Sequence, residues 1–122
     1  MGHLFAVIGG AVLGASGRYF MSGALSRALP GVFPWGTLAV NWVGCLLIGL
    51  AWGASERVLW SPQLRTFLFV GVLGSFTTFS SFGLETLHLL RGGESLRALV
   101  YVLASNLGGL VLVWLGLTTF RT

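Results

Sequence analysis

The sequence predicts an all-α membrane protein in which a single domain, residues 1–122, consists of four transmembrane helices. The first observation is composition: 55% of the 122 residues are hydrophobic and only 8% are charged. A soluble domain of this size has too little polar surface to cover so apolar a chain. The second is spacing, because charged residues separate apolar runs that each approach the roughly 20 residues a helix needs to cross the hydrocarbon core.

The first predicted transmembrane helix covers residues 3–28. It has no basic start and continues past Arg18, so it is too long for the apolar core of a signal peptide and is expected to stay in the protein. The second helix is predicted at 35–56, the third at 63–89 and the fourth at 96–120. The connections contain the Pro, Gly and Ser residues that close short turns between helices; they read LPGVFP, ERVLWSPQ and RGGES.

Small residues recur every four positions on the first two predicted helices. They are Ala6, Gly10 and Gly14 on the first helix and Gly49 and Gly53 on the second. Because lipid supplies no hydrophobic drive between helices, such small side chains let helix backbones approach closely. The pattern predicts tight helix packing and carries no information about a substrate.

The arginines predict that the chain inserts in both orientations. With four spans, both termini and the second connection lie on one side of the membrane, and the other two connections lie on the opposite side. Each side then carries three arginines: Arg57, Arg65 and Arg121 on the first, and Arg27, Arg91 and Arg97 on the second. Orientation follows the Lys/Arg asymmetry of short loops, so an equal count gives no preference. Two oppositely oriented copies are expected to pair as an antiparallel, dual-topology homodimer, the two-chain equivalent of an inverted repeat.

The same residues disfavour several classes of function. The arginines are scattered singly and lysine is absent, so no basic face for nucleic acid is expected. Cys45 is the only cysteine, which excludes an intrachain disulfide and a cysteine-rich metal site. The sequence has no HExxH motif, no phosphate loop and no evident pairing of a nucleophile with a base, so the chain is not predicted to be an enzyme.

Two polar side chains interrupt the first two predicted helices. Asn41 lies deep in the second helix, where its amide needs partners, either in an interhelical hydrogen bond or in a wet cavity. Arg18 lies within the first helix, where a guanidinium is costly unless it faces water or a partner. Arg18 is therefore a functional candidate, and a side chain that extends to the membrane surface is the alternative.

The stretch GSFTTFSSF, residues 74–82, is unusually polar for the third predicted helix. Gly71 and Gly74 weaken the helix ahead of Thr77 and Thr78, and the hydroxyl groups can satisfy backbone groups that a break would free. We expect the third helix to be broken between Gly74 and Phe79. Freed carbonyl oxygens at such a break could coordinate a cation.

Aromatic and hydroxyl side chains extend this polar stretch along two helices. Phe79 and Phe82 are three residues apart and share a helix face. Their ring edges carry partial positive charge and could line an anion path, although core packing explains the same spacing. Tyr101 and Ser105, four residues apart on the last helix, could supply two hydroxyl donors to one line, or could bond to their own backbone.

The polar groups expected inside the membrane are therefore mainly neutral donors, aromatic edges and one arginine. No carboxylate precedes Glu85 on the third predicted helix. This inventory favours a small, strongly hydrated anion, whose water would be replaced by hydroxyl and amide donors, over a cation.

At these residues the chain closely resembles the Fluc (CrcB) fluoride channels. The resemblance covers nearly the whole length and rests on three stretches: GAVLGASGRY in the first helix, GTLAVNWVG in the second and GVLGSFTTFSSFGLE in the third. It implies an antiparallel dual-topology homodimer with two fluoride pores and a structural sodium ion, Na⁺, at the centre of the dimer interface.

By motif position, the resemblance implies that Gly74 and Thr77 offer backbone carbonyls to sodium. Asn41 would donate to fluoride, with Phe79 and Phe82 as the aromatic lining of the pore. The family's polar track and its first-span arginine near the aqueous vestibule would fall on Ser80, Ser81, Tyr101, Ser105 and Arg18. Ser81 stands where the family motif usually has a second threonine, and Gly109 stands where related channels can carry another hydroxyl.

The resemblance implies a passive channel that exports fluoride across the bacterial inner (plasma) membrane as a multi-pass protein and confers fluoride resistance. The expected partners are fluoride, a second copy of the chain and the lipid bilayer. The alternative is a proton-coupled exporter similar to the small multidrug transporters, which are also short and dual-topology. That chemistry requires a carboxylate deep in the membrane, whereas here the first helix has Arg18 and Glu85 lies near a helix end.

Overall fold

A computed structural model describes residues 1–121 as four long helical spans, with no β-strand in that range. The first is helix α1, Gly2–Ala28, and the second is helix α2, Trp35–Arg57. The third span is Pro62–Arg91 and the fourth is Ser95–Thr118, and all four are long and apolar enough to cross a membrane. The predicted helix ends agree within two residues. The last residue of the predicted domain, Thr122, lies outside the described residues.

The third span is a broken helix. It contains a short helix α3, Pro62–Arg65, a π-helix, Thr66–Leu73, and a single turn α4, Gly74–Phe76, which are followed after two extended residues by helix α5, Phe79–Arg91. The extended residues are Thr77 and Thr78, with ψ angles of 157° and 118°. The predicted interruption is therefore present, confined to two residues. Thr78 also caps α5, because its hydroxyl accepts a hydrogen bond from the Ser81 amide at 3.2 Å.

The fourth span contains a second π-helix, which the sequence did not predict. Helix α6, Ser95–Leu103, leads into the π-helix Ala104–Gly108, which continues as helix α7, Gly109–Thr118. Short π-helical insertions within α-helices are uncommon and frequently occur at functional sites. Here the insertion bears Ser105 and Asn106, so the irregular backbone of the fourth span coincides with its polar side chains.

The glycine spacing of the first two spans produces close backbone contacts. Gly10 is buried against the third span, so that a Cβ atom placed there would lie 2.5 Å from the Phe67 carbonyl oxygen. Gly49 is buried against the fourth span, where a Cβ atom would lie 3.0 Å from the Cα of Gly116. The predicted tight packing is confirmed: α1 lies against the third span and α2 against the fourth.

The interior of a single chain is small, and most large apolar side chains are exposed. One buried cluster joins the second, third and fourth spans and consists of Leu38, Leu89, Ala98 and Tyr101. By contrast, apolar side chains such as Phe5, Val12 and Leu110 are more than half exposed. A helix whose apolar residues face outward suits a lipid environment, in which backbone groups are satisfied within the helix. The fold is that of a multi-pass membrane protein.

The contact between α1 and the third span yields a stability prediction. Gly10→Ala should lower the unfolding temperature of the purified protein in detergent, because a methyl group meets rigid backbone and overpacking typically costs about 1–3 kcal/mol. Gly9→Ala is the matched control, since a Cβ atom at that neighbouring residue would meet only a Phe67 ring atom at 3.9 Å. Equal unfolding temperatures for the two variants would contradict the packing described here.

Candidate functional site

A groove of about 330 Å³ lies between the second, third and fourth spans. Its walls are residues of α2, the break in the third span with the turns on either side of it, and the π-helix of the fourth span. Six of the ten residues singled out from the sequence line it, namely Asn41, Gly74, Thr77, Phe79, Phe82 and Ser105. The break, the aromatic pair and the polar π-helix thus meet in one place.

The side chain of Asn41 makes two hydrogen bonds to the break in the third span, one as donor and one as acceptor. Its Nδ2 donates to the Thr78 carbonyl oxygen at 3.0 Å, and its Oδ1 accepts from the Thr78 amide at 2.8 Å. A carboxamide is suited to this arrangement because it presents a donor and an acceptor side by side. The interhelical hydrogen bond considered as an alternative from the sequence is therefore present. Because the amide group carries two donor hydrogens, one N–H of Asn41 is not needed for this contact.

The Asn41 contact changes the hydrogen bonding of the turn before the break. In an uninterrupted α-helix the Thr78 amide would donate to the Gly74 carbonyl oxygen, four residues earlier. Since that amide donates to Asn41, the Gly74 carbonyl loses its regular helical donor. Thr77 remains tied to the preceding turn, because its amide and its hydroxyl both donate to the Leu73 carbonyl oxygen, at 3.1 and 2.9 Å.

Arg18 reaches the same turn from the first span. Its Nε donates to the Ser75 carbonyl oxygen at 3.2 Å, and the residue is partly buried. Arg18 does not line the groove; it lies beside a separate cavity of about 360 Å³ formed along α1 with Ala15, Tyr19 and Ser22. The guanidinium thus supplies a partner for the backbone of the broken helix from α1.

Phe79 and Phe82 lie together at the start of α5, as their spacing predicted. Their ring centroids are 5.5 Å apart, and Phe82 also contacts the ring of Tyr101 at 5.1 Å. The two phenylalanines differ in exposure, because Phe79 is 79% exposed and Phe82 is half-buried. In a single chain, Phe79 is therefore largely uncovered while it lines the groove.

The hydroxyl of Ser105 is buried in the groove wall. Its Oγ has no hydrogen-bond partner among the described residues. A buried hydroxyl without a partner is unusual, because leaving a polar group unsatisfied away from water costs free energy. The Ser105 hydroxyl is therefore a donor that the described residues leave unused.

Tyr101, Ser80 and Ser81 do not line the groove. Tyr101 is fully buried, and its hydroxyl donates to Oε2 of Glu85 at 3.1 Å. Ser80 is exposed, with its hydroxyl 3.4 Å from that of Thr78, while the backbone amide of Ser81 donates to the Thr78 hydroxyl. The predicted site residues that lie outside the groove are Arg18, Tyr101, Ser80 and Ser81. Each of them contacts a residue that lines the groove or is adjacent in sequence to one that does.

Sequence reasoning assigned no role to Glu85, which the structure places at the centre of a polar cluster. Thr37 donates to Glu85 Oε1 at 2.7 Å, and Tyr101 donates to the other carboxylate oxygen. Thr37 and Glu85 also line a second cavity of about 200 Å³ below the first connection. The sequence did contain a sign of this cluster, because a carboxylate on an apolar span needs hydrogen-bond donors. The hydroxyls of Thr37 and Tyr101 on the neighbouring spans provide them.

The lining of the groove carries no ionisable acid, lysine, arginine or histidine. Within residues 1–121, no group of three or more His, Cys, Asp or Glu side chains is placed to hold a metal ion. The oxygen ligands that the groove lining offers a cation are therefore neutral ones, from backbone carbonyls, hydroxyls and amides. An anion in the groove would meet neutral donors and ring edges.

Comparison with known proteins identifies the family. The family model described as "CrcB-like protein, Camphor Resistance (CrcB)" matches residues 5–117. A protein of Salinibacter ruber is 49% identical over 113 residues, which cover 93% of this chain and 84% of the relative. A protein of Nitratidesulfovibrio vulgaris is 46% identical over 110 residues, which cover 89% of each chain.

Both relatives, and a protein of Parabacteroides distasonis that is 47% identical over 91% of this chain, are named as fluoride-specific ion channels. Channel names agree with the prediction that the chain is not an enzyme. The resemblance seen in the three sequence stretches is confirmed over nearly the full length. The chain belongs to the CrcB family.

Proposed function

We propose that this chain forms a fluoride-selective channel through which cytoplasmic fluoride leaves a bacterial cell across its inner membrane. The observation that carries the proposal is the function for which the relatives are named, since they align over about nine-tenths of the chain, for example 93% for the Salinibacter ruber protein. The groove at the broken helix offers a physical basis for that function.

The driving force for export is the membrane potential. Hydrogen fluoride crosses membranes uncharged from acidic surroundings and ionises in the more neutral cytoplasm, where the anion is trapped. An inside-negative potential moves the anion outward by roughly 2.3 kcal/mol per charge per 100 mV. A passive channel therefore suffices, without ATP or proton coupling, and fluoride resistance follows from it.

The donors of the groove suit a small anion. Asn41 is fixed by its two bonds to Thr78, so its remaining N–H points in a direction set by the fold. Ser105 supplies a second donor whose hydroxyl has no partner within the described chain. Donors held in place before the ion arrives can replace its hydration shell at a smaller entropic cost than mobile ones.

Selectivity against chloride follows from the same donors. Chloride is larger and accepts hydrogen bonds less strongly, so a narrow path built for the charge density of fluoride holds chloride poorly. The rings of Phe79 and Phe82 present partly positive edges and exclude water without adding a charge. The groove lining holds no carboxylate, which argues against the proton-coupled multidrug exporter as the alternative function.

We further propose that two copies pair in opposite orientation to complete the site. Phe79, Ser80 and Gly74 are exposed in one chain, although they adjoin the break and the groove. A second copy would cover this surface and close the open side of the groove. The equal count of arginines on the two sides supports insertion in both orientations, which an antiparallel homodimer requires.

A structural sodium ion fits the break on chemical grounds. Gly74 and Thr77 both line the groove, and the Gly74 carbonyl has lost its regular helical donor. Hard cations prefer oxygen ligands, and two chains would together offer two such carbonyl pairs at the centre of the dimer. The positive charge of the ion would tie the broken helices of the two subunits together.

The direct test is fluoride efflux from liposomes that contain the purified chain, followed with a fluoride electrode. We expect rapid release of fluoride and retention of chloride in a parallel chloride-loaded sample. A third sample, prepared with a large organic cation in place of sodium throughout, should lose activity and regain it when sodium is restored. Retention of fluoride in sodium-containing liposomes would contradict the proposed channel, and full activity without sodium would contradict the sodium site alone.

The role of Asn41 is tested by Asn41→Asp, assayed by the same fluoride efflux. The carboxylate cannot donate to the Thr78 carbonyl oxygen, whose loss of a partner costs about 1–3 kcal/mol, and it repels an anion. We expect efflux to fall more than about tenfold. Gln63→Glu is the matched control, because it makes the same amide-to-acid change at an exposed residue near a span end. Wild-type efflux from Asn41→Asp would remove Asn41 from the pathway.

Dual topology is tested by adding one positive charge to the second connection. Leu59 is 99% exposed in that connection. Leu59→Lys gives four basic residues to the side that carries the termini and leaves three on the opposite side. We expect most chains to adopt one orientation, with the termini in the cytoplasm, and fluoride efflux to fall with the loss of oppositely inserted partners. Accessibility of a C-terminal tag from each side of the membrane measures the orientation.

Leu59→Gln is the control for this test, because it makes the same residue polar without adding charge. It should keep tags accessible on both sides and keep efflux at the wild-type level. If the unmodified chain exposes its tag on one side only, the proposed dual topology is wrong.

A further inference from the structure

Trp42 follows Asn41 on α2 and contacts the fourth span. Its indole Nε1 donates a hydrogen bond to the Ala104 carbonyl oxygen at 2.9 Å. Its ring is partly buried and packs against the cluster of Leu38, Leu89, Ala98 and Tyr101. Trp42 is therefore an interior residue whose polar atom and ring are both in use, unlike a tryptophan at the membrane surface.

The contact falls at the start of the second π-helix. Ala104 is the first residue of this π-helix. In a π-helix the backbone carbonyl oxygen accepts from the amide five residues later, whereas in an α-helix it accepts from the amide four residues later. The Trp42 indole donates to the carbonyl oxygen of this first residue from outside the helix. At the other end, Gly108 leaves room for the ring, because a Cβ atom there would lie 2.7 Å from Trp42 ring atoms.

Two adjacent residues of α2 thus form hydrogen bonds to both of the other spans that line the groove. Asn41 holds Thr78 in the broken third span, and Trp42 holds Ala104 in the fourth. Ser105 is the next residue after Ala104; the residue lines the groove and its hydroxyl is buried in the wall. The position of that hydroxyl relative to Asn41 is therefore set through two neighbouring side chains on one rigid helix.

We infer that Trp42 is a positioning residue, which holds the π-helix of the fourth span through the Ala104 carbonyl and thereby places the Ser105 hydroxyl opposite Asn41 in the groove. The effect of this placement on transport rests on the proposed fluoride channel. The placement itself is a property of the fold and can be measured without any ion flux.

The test replaces the indole by a ring without a donor. Trp42→Phe keeps an aromatic side chain beside Gly108 and removes the hydrogen bond to Ala104. Trp52→Phe is the matched control, because Trp52 on the same helix also donates through its indole, to Glu56 at 3.1 Å, but at an exposed position. We expect Trp42→Phe to lower the ratio of fluoride to chloride efflux roughly fivefold, the effect of losing one net hydrogen bond, and Trp52→Phe to keep it.

A second measurement follows the Ser105 position directly. In a Cys45→Ala background, Ser105→Cys introduces a single thiol into the groove wall, whose rate of modification by a small maleimide reports its accessibility. We expect Trp42→Phe to raise that rate about fivefold and Trp52→Phe to leave it unchanged. Gly108→Ala should raise it as well, because the added methyl group displaces the ring from the opposite side of the contact.

The outcomes separate this inference from the proposed function. Thiol rates that are unchanged in both Trp42→Phe and Gly108→Ala would overturn the positioning role, whatever the efflux. Raised rates in both would support it, even if the wild-type chain released no fluoride and the channel proposal failed. Raised rates with an unchanged efflux ratio would overturn the claim that the placement of Ser105 affects selectivity.

Discussion

The structure depends on the pairing of the Asn41 amide with the backbone of Thr78. A helix that breaks inside a membrane exposes peptide groups to a solvent that cannot hydrogen-bond, so each must find a partner in the protein. Asn41 supplies partners for both the amide and the carbonyl of one residue, Thr78, while Arg18 and the Thr77 hydroxyl donate to neighbouring carbonyls. The broken segment is thereby held by side chains of both α1 and α2. Without these side chains, a continuous helix would be the only arrangement that lipid tolerates.

Sequence reasoning predicted the fold well because membrane spans are defined by length and apolarity. The four helices, the glycine contacts and the location of the break follow from local composition. The two π-helices could not be predicted, because residues 66–73 read as an ordinary apolar helix and the shift in register arises from packing. Glycines at buried positions such as Gly10 and Gly49 indicated close packing, yet only the structure identifies which span each one faces.

The candidate site was predicted in composition and less well in geometry. Asn41 was expected to need partners, but a partner 37 residues away on another span depends on lateral register, which one sequence does not contain. Glu85 appeared unremarkable beside a helix end, although two hydroxyls from separate spans converge on its carboxylate. Tyr101 and Ser105 were expected to supply donors to one line; the structure places the Tyr101 hydroxyl on Glu85 and Ser105 in the wall of the groove. Interhelical contacts of this kind decide which polar residues face a common space.

The two extended residues at Thr77 and Thr78 also give the third span an uneven charge distribution. An α-helix carries partial negative charge at its C-terminal end and partial positive charge at its N-terminal end. The break therefore places the carbonyl end of one segment and the amide end of α5 within two residues of each other, in the middle of the third span. Both signs are available there from peptide groups alone, beside the Arg18 guanidinium that donates to the Ser75 carbonyl oxygen. A site of this kind keeps its electrostatic character over the whole physiological pH range, because peptide groups do not titrate.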